Sequence, residues 1–146
     1  MGYTHFDRVS AVNGFAVGKK GSEQVVIDSS GTLYRDCVIV QAHKSSVSSS
    51  QDDVEIFEFT APVALTLVGV QVYCTAVTAT ASVNVKEAGT SVLSSAVTPA
   101  AGDVVDGTIS DADIAKDAAV TVHATTDANG SITDLTVTLL FKAAHV

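Results

Sequence analysis

The sequence predicts an all-β protein: an antiparallel β-sandwich of jelly-roll type, preceded by an extended N-terminal arm with short strands. Three observations predict it. Val, Thr, Ala and Ser dominate a chain of 146 residues that has no Trp and two Pro, and β-branched side chains, stiff at χ1, fit a strand and crowd a helix. Apolar and polar residues alternate with a period of two through much of residues 51–146, the spacing that places one face of a strand inside and the other in water. Turn residues interrupt that alternation at short intervals.

Residues 1–44 read as the arm. Glycines at 14, 18, 21 and 31 separate short apolar runs, Phe15-Ala16-Val17, Val25-Val26-Ile27 and Cys37-Val38-Ile39-Val40. Asp28-Ser29-Ser30-Gly31 has turn chemistry, because Asp bonds its own backbone and Gly tolerates positive φ. Strands this short bury little alone, so the arm is expected to order against a partner or against copies of itself. Residues 45–50, SSVSSS, read as a polar linker. Residues 51–146 read as the sandwich domain.

Within that domain the runs 54–60, 63–68, 70–77, 81–87, 91–97, 104–109, 119–126 and 132–142 are expected as strands. Val63, Leu65 and Leu67 hold one parity, then Val68, Val70, Val72 and Cys74 hold the other. Gly69 sits at the switch, which points to a bulge or a corner. Val54 and Ile56, then Phe57 and Phe59, repeat the pattern. Glu87-Ala88-Gly89-Thr90 and Asp127-Ala128-Asn129-Gly130 are turns, and Asn-Gly between alternating runs predicts a hairpin. Residues 110–117, SDADIAKD, predict one short turn of helix, with Ser110 as cap and acids in its first turn. A jelly roll is preferred to an immunoglobulin-like sandwich because the Cys and Trp hallmarks of the latter are missing.

The net charge of −8 is uneven: residues 1–50 carry a net +1 and residues 51–146 a net −9. An acidic domain repels phosphate backbones and anionic bilayers, so neither nucleic acid nor membrane is expected as a partner. The uncharged stretch 61–81 is long enough for a membrane helix. Nine of its 21 residues are Val or Thr, however, and two successive strands account for it better. No basic segment followed by an apolar run opens the chain, so no secretory signal is expected.

The search for chemistry returns no catalytic, metal or cofactor site. His5, His43, His123 and His145 have no His, Cys or acid at metal-binding spacing, and His123 falls on the polar side of its strand, where a solvated ring is expected. Asp111, Asp113 and Asp117 begin like a calcium loop, but its sixth and twelfth positions are Lys116 and Val122, where Gly and Glu are required. Gly18-Lys19-Lys20-Gly21 lacks the phosphate-loop pattern, and Asn129-Gly130-Ser131, a match to the glycosylation sequon, is already explained as a turn. Cys37 and Cys74, 37 positions apart, either form a disulfide, which nothing in the sequence supports, or are free thiols packed as small apolar residues, the reading preferred here. No enzyme is expected.

The stretch VNGFAVGKKGSEQVVIDSSGTLYR is similar to glycine-punctuated strand segments near the N-termini of phage fibre and decoration proteins. The segments ALTLVGVQVY, ASVNVKEAGTSVLSS and AVTVHATTDANGSITDLTVTLLF look like the Val/Thr/Ala/Ser-rich sandwich modules of virions. Over most of its length the chain thus resembles the head decoration (cement) proteins of tailed bacteriophages. That resemblance implies a homo-oligomer, dimer or trimer, made in the host cytoplasm and bound on the capsid surface over junctions of the major capsid protein. On that expectation Tyr3, Phe6, Phe15, Val17 and Tyr34 either anchor the arm to capsid or copy, or form a small local core; aromatics bury much area for few rotatable bonds. Leu140, outward by parity, marks a second contact. A carbohydrate-binding or host-attachment module is the alternative, weakened by the lack of Trp.

Overall fold

Alternating β-branched residues become strands along the chain, and every regular element among the described residues is one. The computed structural model describes residues 15–17, 25–27 and 33–145, with side-chain surroundings for residues 38–142. In chain order the strands are β1 (Phe15–Val17), β2 (Val25–Ile27), β3 (Leu33–Val47), β4 (Gln51–Thr60), β5 (Leu65–Tyr73), β6 (Ala76–Thr78), β7 (Ala81–Glu87), β8 (Thr90–Ser91), β9 (Val104–Asp106), β10 (Asp113–Ile114), β11 (Ala119–Thr126) and β12 (Ser131–His145).

The chain divides into two units, Met1–Asp36 with Ala144–Val146, and Cys37–Ala143. In the first, β1 and β2 pair antiparallel, Phe15 opposite Ile27 and Val17 opposite Val25, and β2 pairs with the start of β3 at Leu33 and Tyr34. The division falls after Asp36 rather than after Lys44. The serine run expected as a linker supplies the end of β3, through the buried Val47, and then a tight turn into β4 in which Ser50 has φ +58°.

The second unit is a β-sandwich of two antiparallel sheets. One sheet has the order β3-β12-β5-β10, with β6 beside β12 and β9 beside β5. Because β12 lines one side of β5 throughout, β9 and β10 share its other side, β9 against Gln71–Tyr73 and β10 against Leu65–Thr66. The other sheet has the order β4-β11-β7-β8. The chain changes sheet between β3 and β4, β4 and β5, β6 and β7, β8 and β9, β10 and β11, and β11 and β12. Between the sheets lie Leu135, Val137, Leu139 and Phe141 of β12, Val120 and Val122 of β11, Leu67, Val70 and Val72 of β5, and Val83 and Val85 of β7. Each such side chain contributes roughly 1.5–3 kcal/mol on burial. Phe59 meets Phe141 edge to face, with centroids 5.6 Å apart.

The phase switches are bulges. Leu140 pairs with Gly69 and Phe141 with Leu67, leaving Val68 as the extra residue. Val122 pairs with Phe57 and His123 with Glu55, so Ile56 is skipped; a second shift near Asp53 (φ +53°) follows. An inserted residue reverses which parity faces the core, as the sequence pattern requires. The turn at Ala88 (φ +46°) and Gly89 (φ +85°) closes a two-residue hairpin between β7 and β8.

Four expectations need correction. The runs 63–68 and 70–77 are one bulged strand, β5, followed by β6. The run 91–97 is strand only at Ser91, because the Ser91 hydroxyl bonds Asn84 Oδ1 and the Leu93 carbonyl and diverts the chain. Residues 110–117 form no helix: Asp111 Oδ1 accepts from the Asp113 amide, and buried Ile114 pairs with Leu65 in β10. The Asn129-Gly130 turn closes no hairpin, since β11 and β12 belong to different sheets. For residues 61–81, strands replace any span, and no helix among the described residues is long and apolar enough to cross a membrane.

Candidate interaction surface

With the core between the sheets, alternate side chains point outward, and the two outer faces differ in chemistry. Among the described residues the exposed large hydrophobics are Val38, Ile39, Val68, Tyr73 and Val104. All five lie on β3, β5 and β9, strands of one sheet; Val38 has the parity of the buried Ala42, and the other four face outward. Tyr73 and Val104 are directly opposed across β5 and β9, 36 % and 58 % exposed. Val68 reaches the surface because of the bulge. Leu140 lies half-buried over Gly69, its Cδ1 2.8 Å from where a Cβ on that residue would stand. Between these apolar positions are two polar links, Gln41 Nε2 donating to Thr138 Oγ1 and Gln71 Nε2 donating to Asp106 Oδ1, both at 3.2 Å.

Among the described residues, the outer face of the other sheet carries no exposed large apolar residue. Its outward positions are Ser82, Asn84 and Lys86 on β7, Thr121, His123 and Thr125 on β11, and Asp53, Glu55 and Glu58 on β4. Lys86 Nζ donates to Asp53 Oδ2. His123 Nδ1 stands 2.9 Å from the Asp53 carbonyl oxygen and Nε2 stands 3.0 Å from Thr121 Oγ1. A carbonyl only accepts, so Nδ1 carries a proton. The Lys86 ammonium, with the nearby His123 ring, holds the Asp53 carboxyl below the usual carboxylate range. The Asp53 amide donates to Thr125 Oγ1 at 3.1 Å.

His123 is therefore not the solvated ring expected, for its side chain is 14 % exposed and bonded at both nitrogens. The cluster fastens the bulge of β4 to β7 and β11. It has the order of a hydroxyl–imidazole–acid relay, but His123 bonds the Asp53 backbone, Lys86 takes the carboxylate and Thr121 is buried. No group of three or more His, Cys, Asp or Glu among the described residues is placed to hold a metal ion.

Of the residues singled out in sequence, Tyr3 and Phe6 lie outside the described residues. Phe15, Val17 and Tyr34 are in β1, β1 and β3, and their side chains lie outside the described ones. Leu140 is on the apolar outer face. Tyr73 and Val104 were missed, and Val68, grouped by sequence with the inward Val70 and Val72, is 41 % exposed because it is the extra residue of the bulge. Tyr73 left a signal: its parity is opposite to that of Val70 and Val72, an aromatic on the wet side of a strand. Comparison of the sequence with known protein families and with curated proteins returns no match.

Proposed function

We propose that the chain is a virion structural protein that binds and stabilises a phage capsid exterior as a decoration protein, docking through the outer face of the β3-β12-β5 sheet. The observation that carries this reading is the two-faced surface: exposed apolar residues on one sheet, polar and acidic groups on the other. Tyr73 and Val104, paired across β5 and β9, form the apolar contact of that face, and contiguous apolar surface marks contact sites. In a chain whose residues 51–146 bear a net −9, an acidic face turned to solvent keeps a decorated particle soluble. The strand orders β3-β12-β5-β10 and β4-β11-β7-β8, joined by crossings between sheets, support the jelly-roll form of the sandwich. The sequence resemblance to cement proteins supports the same reading.

The test is co-sedimentation of the full chain with capsids assembled from the major capsid protein of its virus. Binding is expected for the wild type and is expected to fall at least tenfold in Tyr73→Lys/Val104→Lys. No co-sedimentation, or no loss in that variant, overturns the docking face. Carbohydrate attachment is the second reading. It is favoured by the exposed Tyr73 ring beside the Gln71–Asp106 pair, a stacking platform with adjacent hydrogen-bonding groups. Binding of the full chain on a glycan array, abolished by Tyr73→Ala, would favour it over the capsid.

A further inference from the structure

Gly130 does not have the positive φ of Gly89 and Gly102, so packing is what makes it a glycine. A Cβ there would stand 2.5 Å from the Thr80 carbonyl oxygen, and only glycine lets two stretches of backbone approach this closely. The same missing Cβ leaves the Gly130 nitrogen unhindered beside the side-chain amide of Asn129, a thermolabile group. The sequence has two Asn-Gly pairs. Asn13-Gly14 lies outside the described residues, and Asn129-Gly130 lies in the turn from β11 to β12. That turn is fastened at both ends of the pair. The Asn129 amide donates to Asp127 Oδ1 at 2.9 Å, and the Asn129 carbonyl accepts from Thr78 Oγ1 at 3.1 Å. The Gly130 amide donates to the Asp127 carbonyl at 3.1 Å. Asp127 Oδ2 accepts from the Thr80 amide. Asn129 is exposed, whereas Gly130 is buried.

We propose that Asn129 is a site of spontaneous deamidation gated by Asp127, closed while that residue clasps the turn and open once the turn is released. In the reaction the Gly130 nitrogen gives up its proton to hydroxide and attacks Asn129 Cγ. The N–Cγ bond forms, the Cγ–Nδ2 bond breaks, and Nδ2 leaves as ammonia with a proton from water. Water then opens the five-membered imide at either carbonyl, giving aspartate or isoaspartate; nothing is oxidised or reduced. The folded turn opposes each step. The Gly130 proton is engaged and buried away from hydroxide. Any rotation about the Asn129 Cα–C bond swings its carbonyl off Thr78 Oγ1 and the Gly130 amide off Asp127. The Asn129 amide, with Thr80 behind it, holds the Asp127 carboxyl below the usual carboxylate range, so the clasp stays charged at neutral pH. The isoaspartate product cannot rebuild the clasp. Its main chain runs through Cβ and Cγ, one atom longer, and it brings a second carboxylate to the turn beside that of Asp127, where like charges repel. The site therefore marks chains that have spent time with the turn open, and it does so whatever the sandwich docks against.

Incubation of the full chain at neutral pH tests it, with peptide mass spectrometry separating Asn129 from Asn13. Conversion at Asn129 is expected to be at least tenfold slower in the folded protein than in guanidinium chloride, because it waits on local opening. Asp127→Ala, shown to be folded by circular dichroism, is expected to convert at least threefold faster than folded wild type. Equal rates in folded and unfolded wild type, or a folded Asp127→Ala no faster than wild type, overturn the proposal. Thr78→Val loses only the bond from an exposed hydroxyl to the Asn129 carbonyl; it carries the same expectation if Asp127→Ala fails to fold. In guanidinium chloride Gly130→Ala is expected to convert at least tenfold more slowly than wild type, since its Cβ shields the attacking nitrogen, and an equal rate overturns that assignment. Chains with isoaspartate at position 129, diluted from denaturant, are expected to melt below unconverted chains; an unchanged midpoint overturns the claim that the clasp cannot be rebuilt.

Discussion

Replacing Gly130 with Ala tests how the chain turns from one sheet to the other. A Cβ at this position would stand 2.5 Å from the Thr80 carbonyl oxygen, 2.9 Å from Asp127 Oδ1 and 3.1 Å from Asp127 N. Two of those atoms are backbone and cannot swing aside. They belong to a clasp between the β6–β7 and β11–β12 connections: Asp127 N donates to the Thr80 carbonyl at 3.1 Å, and Thr80 N donates to Asp127 Oδ2 at 3.3 Å. Relief of the clash requires Thr80 to move away from Asp127, which breaks both bonds. A neutral hydrogen bond contributes about 1 kcal/mol net and one to a charged group about 2, so the loss is about 3 kcal/mol. At roughly 3 °C per kcal/mol for a chain of this size, the melting midpoint falls by about 9 °C. Calorimetry of wild type, Gly130→Ala and Gly69→Ala makes the comparison. At Gly69 the added Cβ meets Leu140 Cδ1, the end of an outward side chain that can rotate, so a loss below about 1 kcal/mol is expected. A Gly130→Ala midpoint within about 2 °C of wild type, or a larger loss at Gly69, refutes the reasoning.

Two further outcomes follow from the titratable groups. The Lys86 hydrogen bond and the His123 ring hold the Asp53 carboxyl below its unfolded value, so its contribution is complete at neutral pH and is lost as pH falls through the folded value. Urea unfolding over a pH series is expected to place Asp53→Asn below wild type at neutral pH and level with it in acid. The gap is about 1 kcal/mol or less because Asp53 is half exposed, and a gap constant with pH refutes the assignment. Burial pushes the Cys74 thiol up, and its Sγ lies 3.6 Å from the Ala100 carbonyl oxygen. Iodoacetamide is therefore expected to spare Cys74 in the native protein and to modify it fully in urea, as read by peptide mass spectrometry; native labelling at the unfolded rate contradicts the burial.

The sequence by itself determined that the chain is all-β, where most of its long strands lie and where the parity changes. Those are local properties: stiff χ1 favours extended backbone, a period of two sorts side chains, and a phase reversal such as that at Gly69 requires one extra residue. The turn at Ala88-Gly89 was readable for the same reason, since two consecutive positive-φ residues close a hairpin of fixed length. Tertiary structure alone decided which strands are neighbours. Asn129-Gly130 is a turn in either case, but whether its flanking strands pair depends on Thr80, about fifty positions away. The acids of 110–117 suit a helix start, and the pairing of Ile114 with Leu65 overrides them. His123 looks solvated from its parity, and becomes enclosed only because the bulge in β4 brings Asp53 beside it and Lys86 arrives from β7. The apolar outer face is only partly visible locally: Leu140 and Tyr73 stand out by parity, but Tyr73 and Val104 lie some thirty residues apart and meet only through the pairing of β5 with β9. Strand propensity acts over a few residues, whereas partner choice is set by the summed burial and hydrogen bonding of the closed sandwich.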